Sequence, residues 1–374
     1  MKGSDLMKND HQNKEENDNM KIMFIPDFRK SNSYQSNLSS SIEKLCTNVY
    51  FSEGYVELPV SIIKYRPHIL HIHWTYPFML ANSKIGTILM STGFLFQLVV
   101  LKLLGIKIIW TAHNIVDHER RNNKSLEIFF TRIMVRLCDR IIVHCSSAKA
   151  EVERIYKKDS SYIDIIPHGN YIGQYENKIS SEEARKKLNL NRDDIVFLNF
   201  GQIRPYKGIL ELIDTFKKFP SKNIKLIIAG KPIDTELTSE ILKRCKDDDN
   251  IRTFLEFIPD KDIQIYMNAS DIVVLPYKDI LTSGSMILAM SFAKPIIAPE
   301  IGCITDFLDN KGGFLYKTDL LNEMKNSLRV ERVELENMGK NNEKIIQNYG
   351  WDEIGKRTID TYQNSCKTKL INKI

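Results

Sequence analysis

No Gly-x-Gly-x-x-Gly occurs in this chain, so the phosphate-binding fingerprint of a dinucleotide enzyme is missing. The six cysteines, Cys46, Cys138, Cys145, Cys245, Cys303 and Cys366, are scattered and form no Cys-x-x-Cys pair. They indicate neither a zinc site nor a disulfide framework, and a reduced, cytoplasmic setting is the expectation. His71 and His73 make a tight histidine pair, but no third ligand follows at a recognisable spacing, so no metal is expected. Nucleic acid is not an expected partner, because neither a known binding motif nor an aromatic-plus-basic platform is present. The first twenty residues lack the apolar core of a signal peptide. Rich in Asn, Lys, Asp and Glu, they read as a disordered tail with Met20 as a candidate start. Long apolar runs are nearly absent as well. The exception, Ile85 to Leu101, is uncharged but diluted by Ser91, Thr92, Gly93 and Gln97. It reads as a buried core helix, with insertion at a membrane surface as the alternative.

What is present fits a soluble globular chain: 374 residues, 43% apolar and 27% charged, enough for two ordinary domains. The net charge of +6 is unevenly placed. Residues 21–172 hold 19 Lys/Arg against 12 Asp/Glu, whereas residues 173–374 hold 31 against 30. A positive first half suggests an acidic partner there, such as anionic lipid or a phosphorylated acceptor.

Strand-like and helical patterns alternate through that half, which points to a parallel sheet covered on both faces. Lys21–Pro26, Ile69–Trp74, Lys107–Asn114 and Arg140–Cys145 read as strands, and Ser36–Cys46 and Lys124–Arg140 as helices. His71 and His73 share one face of their strand, as cleft or core histidines. His113 ends a strand, where a side chain of an open α/β sheet points into the cleft, and it is the first choice for a chemical role here. Arg132, Arg136 and Arg140 recur every fourth residue, as a solvated helix face or as a contact to an anionic membrane. His168-Gly169-Asn170 reads as a turn at the hinge.

A second α/β series begins at Ile195–Phe200. Its first loop, Gly201 to Gly208, places Arg204 and Lys207 near a helix N-terminus and forms a candidate anion site. Thr253–Pro259 reads as a later strand and turn. The stretch from Asp271 to Phe292 is the one around which the chain is organised. Asp271–Leu275 is a buried strand, Thr282-Ser283-Gly284-Ser285 lies just beyond its end, and a buried helix runs from Met286 to Phe292. Free N–H groups and the helix dipole converge at that turn and favour a phosphate, with hydroxyls from Thr282, Ser283 and Ser285. A plain N-cap, with Gly284 for the turn, is the alternative.

These pieces, in this order and spacing, resemble the glycosyltransferase group 1 superfamily over about residues 21 to 366. The resemblance rests on Thr111-Ala112-His113-Asn114, Pro167-His168-Gly169, Phe200-Gly201 through Lys207-Gly208, Ser270-Asp271 through Pro276, Ser283-Gly284-Ser285, Ala289-Met290 through Pro295, and the Trp351-Asp352 helix. It implies an α/β GT-B fold: a tail at 1–20, an acceptor-binding Rossmann-like domain at 21–172, a nucleotide-sugar domain at 173–350, and a crossover helix and tail at 351–374. It further implies a GDP- or UDP-sugar donor, no cofactor, and a lipid-linked or oligosaccharide acceptor, at the cytoplasmic face of the plasma membrane or in the cytoplasm. Gly201, Arg204, Lys207, Thr282, Ser283, Gly284 and Ser285 would hold the diphosphate. Phe257, Ile258 and Pro259 would border the base, and His113 would contact the sugar. If the reaction inverts, Asp27, His113 or Asp117 would serve as base.

The chain also departs from the family pattern. Two glutamates usual around this loop are replaced by Ile280 and Leu288, and Gln202 replaces an arginine. These changes resemble a surface-polysaccharide branch with a Ser-Gly-Ser loop. A noncatalytic nucleotide-sugar-binding partner and a GT-B epimerase or phosphorylase are the competing functions.

Overall fold

The computed structural model describes residues 20–45, 48–116, 124–219 and 222–367. The chain divides into two compact units, Met1–Gly169 with Tyr349–Ile374, and Asn170–Asn348.

The first unit is built on six parallel strands: β1 (Lys21–Ile25), β2 (Asn48–Phe51), β3 (Ile69–Ile72), β4 (Lys107–Thr111), β5 (Arg140–Val143) and β6 (Ile163–Ile165). Their order is β2-β1-β3-β4-β5-β6. Strands β3 and β4 are buried on both faces apart from Lys107, the pattern of a parallel sheet sandwiched between helices. The last helix, Trp351–Lys367, packs along the helix Ser33–Glu43. The Ser41 hydroxyl donates to the Trp351 carbonyl at 2.6 Å, and a Cβ at Gly355 would strike that same hydroxyl.

The second unit holds β7 (Ile195–Phe200), β8 (Ile224–Ala229), β9 (Ile251–Phe254), β10 (Ile272–Val274), β11 (Ile296–Pro299) and β12 (Gly313–Tyr316), all parallel. Its order, β12-β11-β10-β7-β8-β9, reverses direction between β7 and β10. The corresponding reversal in the first sheet lies between β1 and β3. In open α/β sheets ligands bind beyond the carboxyl ends of strands at such switch points.

Several expectations are corrected. The first helix begins at Ser33 because Asn32 caps it, accepting from the Gln35 N–H at 3.3 Å. Of the strand and turn expected over Thr253–Pro259, the strand is the shorter part: it starts at Ile251 and ends at Phe254, leaving Leu255 to Pro259 as loop. The arginine row is broken, since the helix Lys124–Leu137 stops before Arg140, which opens β5. Arg140 pairs with Asp164 and donates to the Ser161 carbonyl, while Arg132 donates to the Ile155 carbonyl at 2.7 Å. Two of the three cations expected to face a membrane are therefore spent on the fold itself. The uncharged run is part of a longer helix, Lys84–Leu103, and only one face of it is buried.

Candidate active site

In the second unit the switch point is framed by two loops, one leaving β7 and the other leaving β10. Gly208 lies at φ +72, and a Cβ there would run into the Pro276 carbonyl oxygen, so only glycine lets the loops close on each other. The Lys278 N–H donates to the Tyr206 carbonyl at 2.8 Å and fixes their register. Gly201, at φ +111, faces the other side of this junction. A Cβ on it would lie 2.8 Å from Ser285 Oγ and 3.7 Å from Lys207 Nζ. Gly201, Lys207 and Ser285 thus converge on one spot, as the basic loop and the Ser-Gly-Ser turn were expected to do.

Ser283 caps the helix Gly284–Ser291, accepting from the Met286 N–H at 3.0 Å. Its hydroxyl is also 2.8 Å from the Tyr277 hydroxyl, a buried partner that sequence reasoning missed. The N-cap reading thus holds for Ser283, while Gly284 and Ser285 occupy the helix's half-buried first turn. Burial and the neighbouring Arg204 pull Lys207 down to about 8. Arg204 donates to Gln202 Oε1 at 3.2 Å. Ile280 and Leu288, at the places of the usual glutamates, are both buried apolar side chains. Phe257 is 72% exposed, Pro259 is exposed and Ile258 is buried.

The first unit presents a different constellation. Four successive strands, β3 to β6, are followed within three residues by a histidine: His73, His113, His144 and His168. His144 Nδ1 is 2.9 Å from the Ile166 carbonyl, which can only accept, so the proton sits on Nδ1 and Nε2 is an acceptor. His113 Nδ1 then donates to His144 Nε2 at 3.3 Å, and His113 Nε2 accepts from His73 Nδ1 at 3.3 Å. One carbonyl orients three imidazoles. At the far end His73 Nε2 is buried with no hydrogen-bond partner among the described residues. His71 lies 4.2 Å from the His73 ring but hydrogen-bonds elsewhere, between the hydroxyls of Tyr362 and Thr111 at 2.6 and 2.7 Å, as a core group.

Burial is the main reason these rings stay neutral. It holds His144 down to about 4 and His168 to about 3, and keeps His73 and His113 well below the usual histidine value. Neighbouring histidines add to the effect on His73, His113 and His168. Trp74 stacks on His113 at 4.5 Å and 10°, and Tyr34 meets it edge-on at 4.7 Å. A small recess of about 30 Å³ opens beside the ring, lined by His73, Trp74, Tyr76, His113, Asn114 and Glu127 among others. Among the described residues no group of three His, Cys, Asp or Glu is arranged to hold a metal.

Of the expected bases, Asp27 is tied to Arg29, accepting from its Nε and Nη2 at 2.9 and 2.8 Å. That pairing lowers the carboxyl below its ordinary value. Asp117 lies outside the described residues. The residues missed from sequence are His144, Tyr34, Trp74, Glu127 and Tyr277, and His73 was placed only as a cleft or core histidine. The recurrence of a histidine after each of four strands was the signal available for His73 and His144.

The chain is similar to known proteins in sequence and in fold. Residues 180–349 match the family model for glycosyl transferases group 1, and residues 53–170 match that for glycosyltransferase family 4. A GDP-mannose:glycolipid 4-beta-D-mannosyltransferase of Xanthomonas campestris is 27% identical over 263 residues, spanning 68% of this chain and 70% of its own. A lipopolysaccharide 1,2-N-acetylglucosaminetransferase of Salmonella typhimurium is 23% identical over 275 residues, 69% of this chain and 67% of its own. In structure, HepE of Anabaena in complex with UDP-glucose superposes with a TM-score of 0.71 at 14% identity, covering 92% of this chain and all of its own. A glycosyltransferase from Rickettsia africae gives 0.70 at 14% identity, over 93% and 99%. The chain belongs to the group 1 glycosyltransferases and is a nucleotide-sugar-dependent transferase built from two Rossmann-like domains.

Proposed function

We propose that this enzyme moves a hexose-type sugar from a nucleoside diphosphate to a hydroxyl of a lipid-linked or oligosaccharide acceptor in glycan synthesis, with no metal or cofactor. The observation that carries this reading is the meeting of Gly201, Lys207 and Ser285 at the switch point of the second sheet. Lys207 and Arg204 neutralise the diphosphate as its charge grows on bond cleavage. The backbone N–H groups of Gly284 and Ser285, with the Ser285 and Thr282 hydroxyls, take the distal phosphate oxygens. Phe257 and Pro259 offer exposed surface to the base, and buried Ile258 anchors them.

In the first unit, His113 acts as a neutral polar contact to the sugar or acceptor hydroxyl, which takes the place of His73 Nδ1–H at His113 Nε2. A ring held well below the ordinary histidine value is a poor proton acceptor near neutrality, which favours the contact role over that of base. A similar argument disfavours Asp27, whose carboxylate is already paired.

GDP-mannose and a glycolipid acceptor are the first pair to try, because they are named for the Xanthomonas relative. UDP-glucose is the second donor, being bound in HepE. The test measures nucleoside diphosphate released from each donor with and without lipid extract. Acceptor-dependent release that disappears in Lys207→Ala is expected. Failure of every donor to bind at the second unit would overturn the reading.

A further inference from the structure

The helix Lys84–Leu103 has its polarity reversed for a water-facing surface. Two of its polar side chains, Thr87 and Ser91, point inward and are hydrogen-bonded there. Ser91 Oγ donates to the Met79 carbonyl at 2.7 Å, and Thr87 Oγ1 both donates to and accepts from the Ala81 backbone, at 3.2 and 3.1 Å. Its outward stripe is apolar. Ile85 is 72% exposed, Leu89 68%, Phe96 69% and Leu103 83%. These positions recur at spacings of four, seven and seven and so lie along one face. Monomeric proteins rarely leave so long an apolar strip open to water, and such strips mark interaction sites.

The helix is long and apolar enough to cross a bilayer by length and composition, but a third of it is buried against the fold. It packs on the helices Tyr76–Met79 and Lys124–Leu137 and on β4. A helix clamped along one side to a sheet cannot thread a bilayer; it can only lie against one. From Lys84 to Leu104 there is no carboxylate, and an exposed Lys84 stands at the amino end. The neighbouring helix Glu57–Tyr65 continues the character. Its exposed Val60 and Ile63 are followed by exposed Lys64 and Arg66, and Glu57 is turned back to accept from the Glu53 N–H at 3.3 Å. The turn leading into this helix meets the longer one at Gly93, where a Cβ would strike the Tyr55 hydroxyl.

We infer that this face is a docking surface for an anionic lipid bilayer, into whose headgroup layer the stripe Ile85, Leu89, Phe96 and Leu103 inserts while the flanking cations meet lipid phosphates. Charge favours lipid over a second copy, since a self-paired face would bring the exposed Lys84, Lys64 and Arg66 together with no carboxylate on the longer helix to offset them, Lys102 being already paired with Asp139. The stripe replaces the arginine row as the membrane contact. It stands independently of the transfer reaction, because binding is read with no donor present.

The test uses the full chain with vesicles of phosphatidylcholine alone and of phosphatidylcholine mixed with phosphatidylglycerol. The wild type floats with the mixed vesicles and much less with the neutral ones. Leu89→Glu with Phe96→Glu, both outward-facing, lowers vesicle affinity by about tenfold or more while nucleotide binding and thermal stability stay unchanged. Phe96→Trp gives a second readout, a blue-shifted emission on adding mixed vesicles. Flotation of the double glutamate variant equal to wild type, or an unshifted Phe96→Trp, overturns the inference. A concentration-dependent dimer abolished by the same substitutions, with no vesicle binding, overturns it in favour of a second copy.

Discussion

His113 Nδ1 stands 3.3 Å from His144 Nε2, and the direction of that bond is dictated from beyond the pair, by the Ile166 carbonyl on the other side of His144. Removing the acceptor should therefore be felt at His113. His144→Phe leaves the His113 Nδ1–H without its partner and costs about 1–3 kcal/mol. His144→Gln keeps an acceptor oxygen and recovers most of that. Nitrogen NMR of the imidazoles should find His73, His113 and His144 all protonated at Nδ1 in the wild type. An Nε2–H tautomer at His113 would refute the chain.

Acid should loosen the first unit. His71, His144 and His168 are buried and neutral, with values of about 3, 4 and 3. In the unfolded chain each titrates near 6.5. The unfolded state thus takes up protons that the folded state refuses. The stability they contribute is complete above about pH 6.5 and falls as pH drops toward 4, by about 1.4 kcal/mol per unit for each ring. Urea midpoints measured at about pH 7.5 and about pH 5.5 should show the loss, and a flat profile between them would contradict the burial argument.

Donor affinity should fall at the alkaline end. Lys207 has been brought down to about 8, and a bound diphosphate favours its charged form and raises it again. Binding near that pH should take up a proton, detectable by calorimetry in buffers of different ionisation enthalpy. Above it, affinity should drop by up to about tenfold per unit. Lys207→Ala should weaken nucleoside diphosphates by about tenfold to a hundredfold and leave the nucleoside untouched.

Two glycines in one loop should fail differently. Gly201→Ala puts a methyl against Ser285 Oγ, a side chain that can turn aside, at a φ of +111 that strains any residue but glycine, so nucleotide binding should be lost with a moderate fall in stability. Gly208→Ala drives a methyl into the Pro276 carbonyl at a backbone angle that costs about 1–2 kcal/mol by itself. Its melting temperature should fall along with its binding. Equal effects of the two on stability would break the distinction.

Arg140→Glu should act on the fold and leave membranes alone. It replaces one partner of a half-buried ion pair with a charge that repels Asp164, a cost of about 1–3 kcal/mol. Vesicle flotation of the folded variant should match wild type.

The alternation of strands and helices was readable because buried parallel strands are short apolar runs, and Ile69–Ile72 and Ile224–Ala229 are clear cases. The two loops that meet at the second switch point stood out because glycine, serine and cation at a strand exit have few other uses. The arginine row misled because a four-residue spacing was followed past the helix end at Leu137, where a strand began. The uncharged run misled because composition does not say which face of a helix is covered. Ser91, read as diluting the run, lies with Thr87 on its inward, hydrogen-bonded side. The histidine chain needed three dimensions. Its members are tens of residues apart, and only the sheet order places β3, β4 and β5 side by side.

The route of the chain through its two units bears on how the protein is made. Residues 170–348 form an uninterrupted stretch and can complete their own core on emerging from the ribosome. The unit begun first must wait, because Ile354, Ile359 and Tyr362 of the last helix are buried in the same cluster as Phe24, Leu38 and Ile42. Of the two units, the one begun first is therefore finished last, and a nascent chain halted before Trp351 carries one mature lobe and one whose core is still missing a wall.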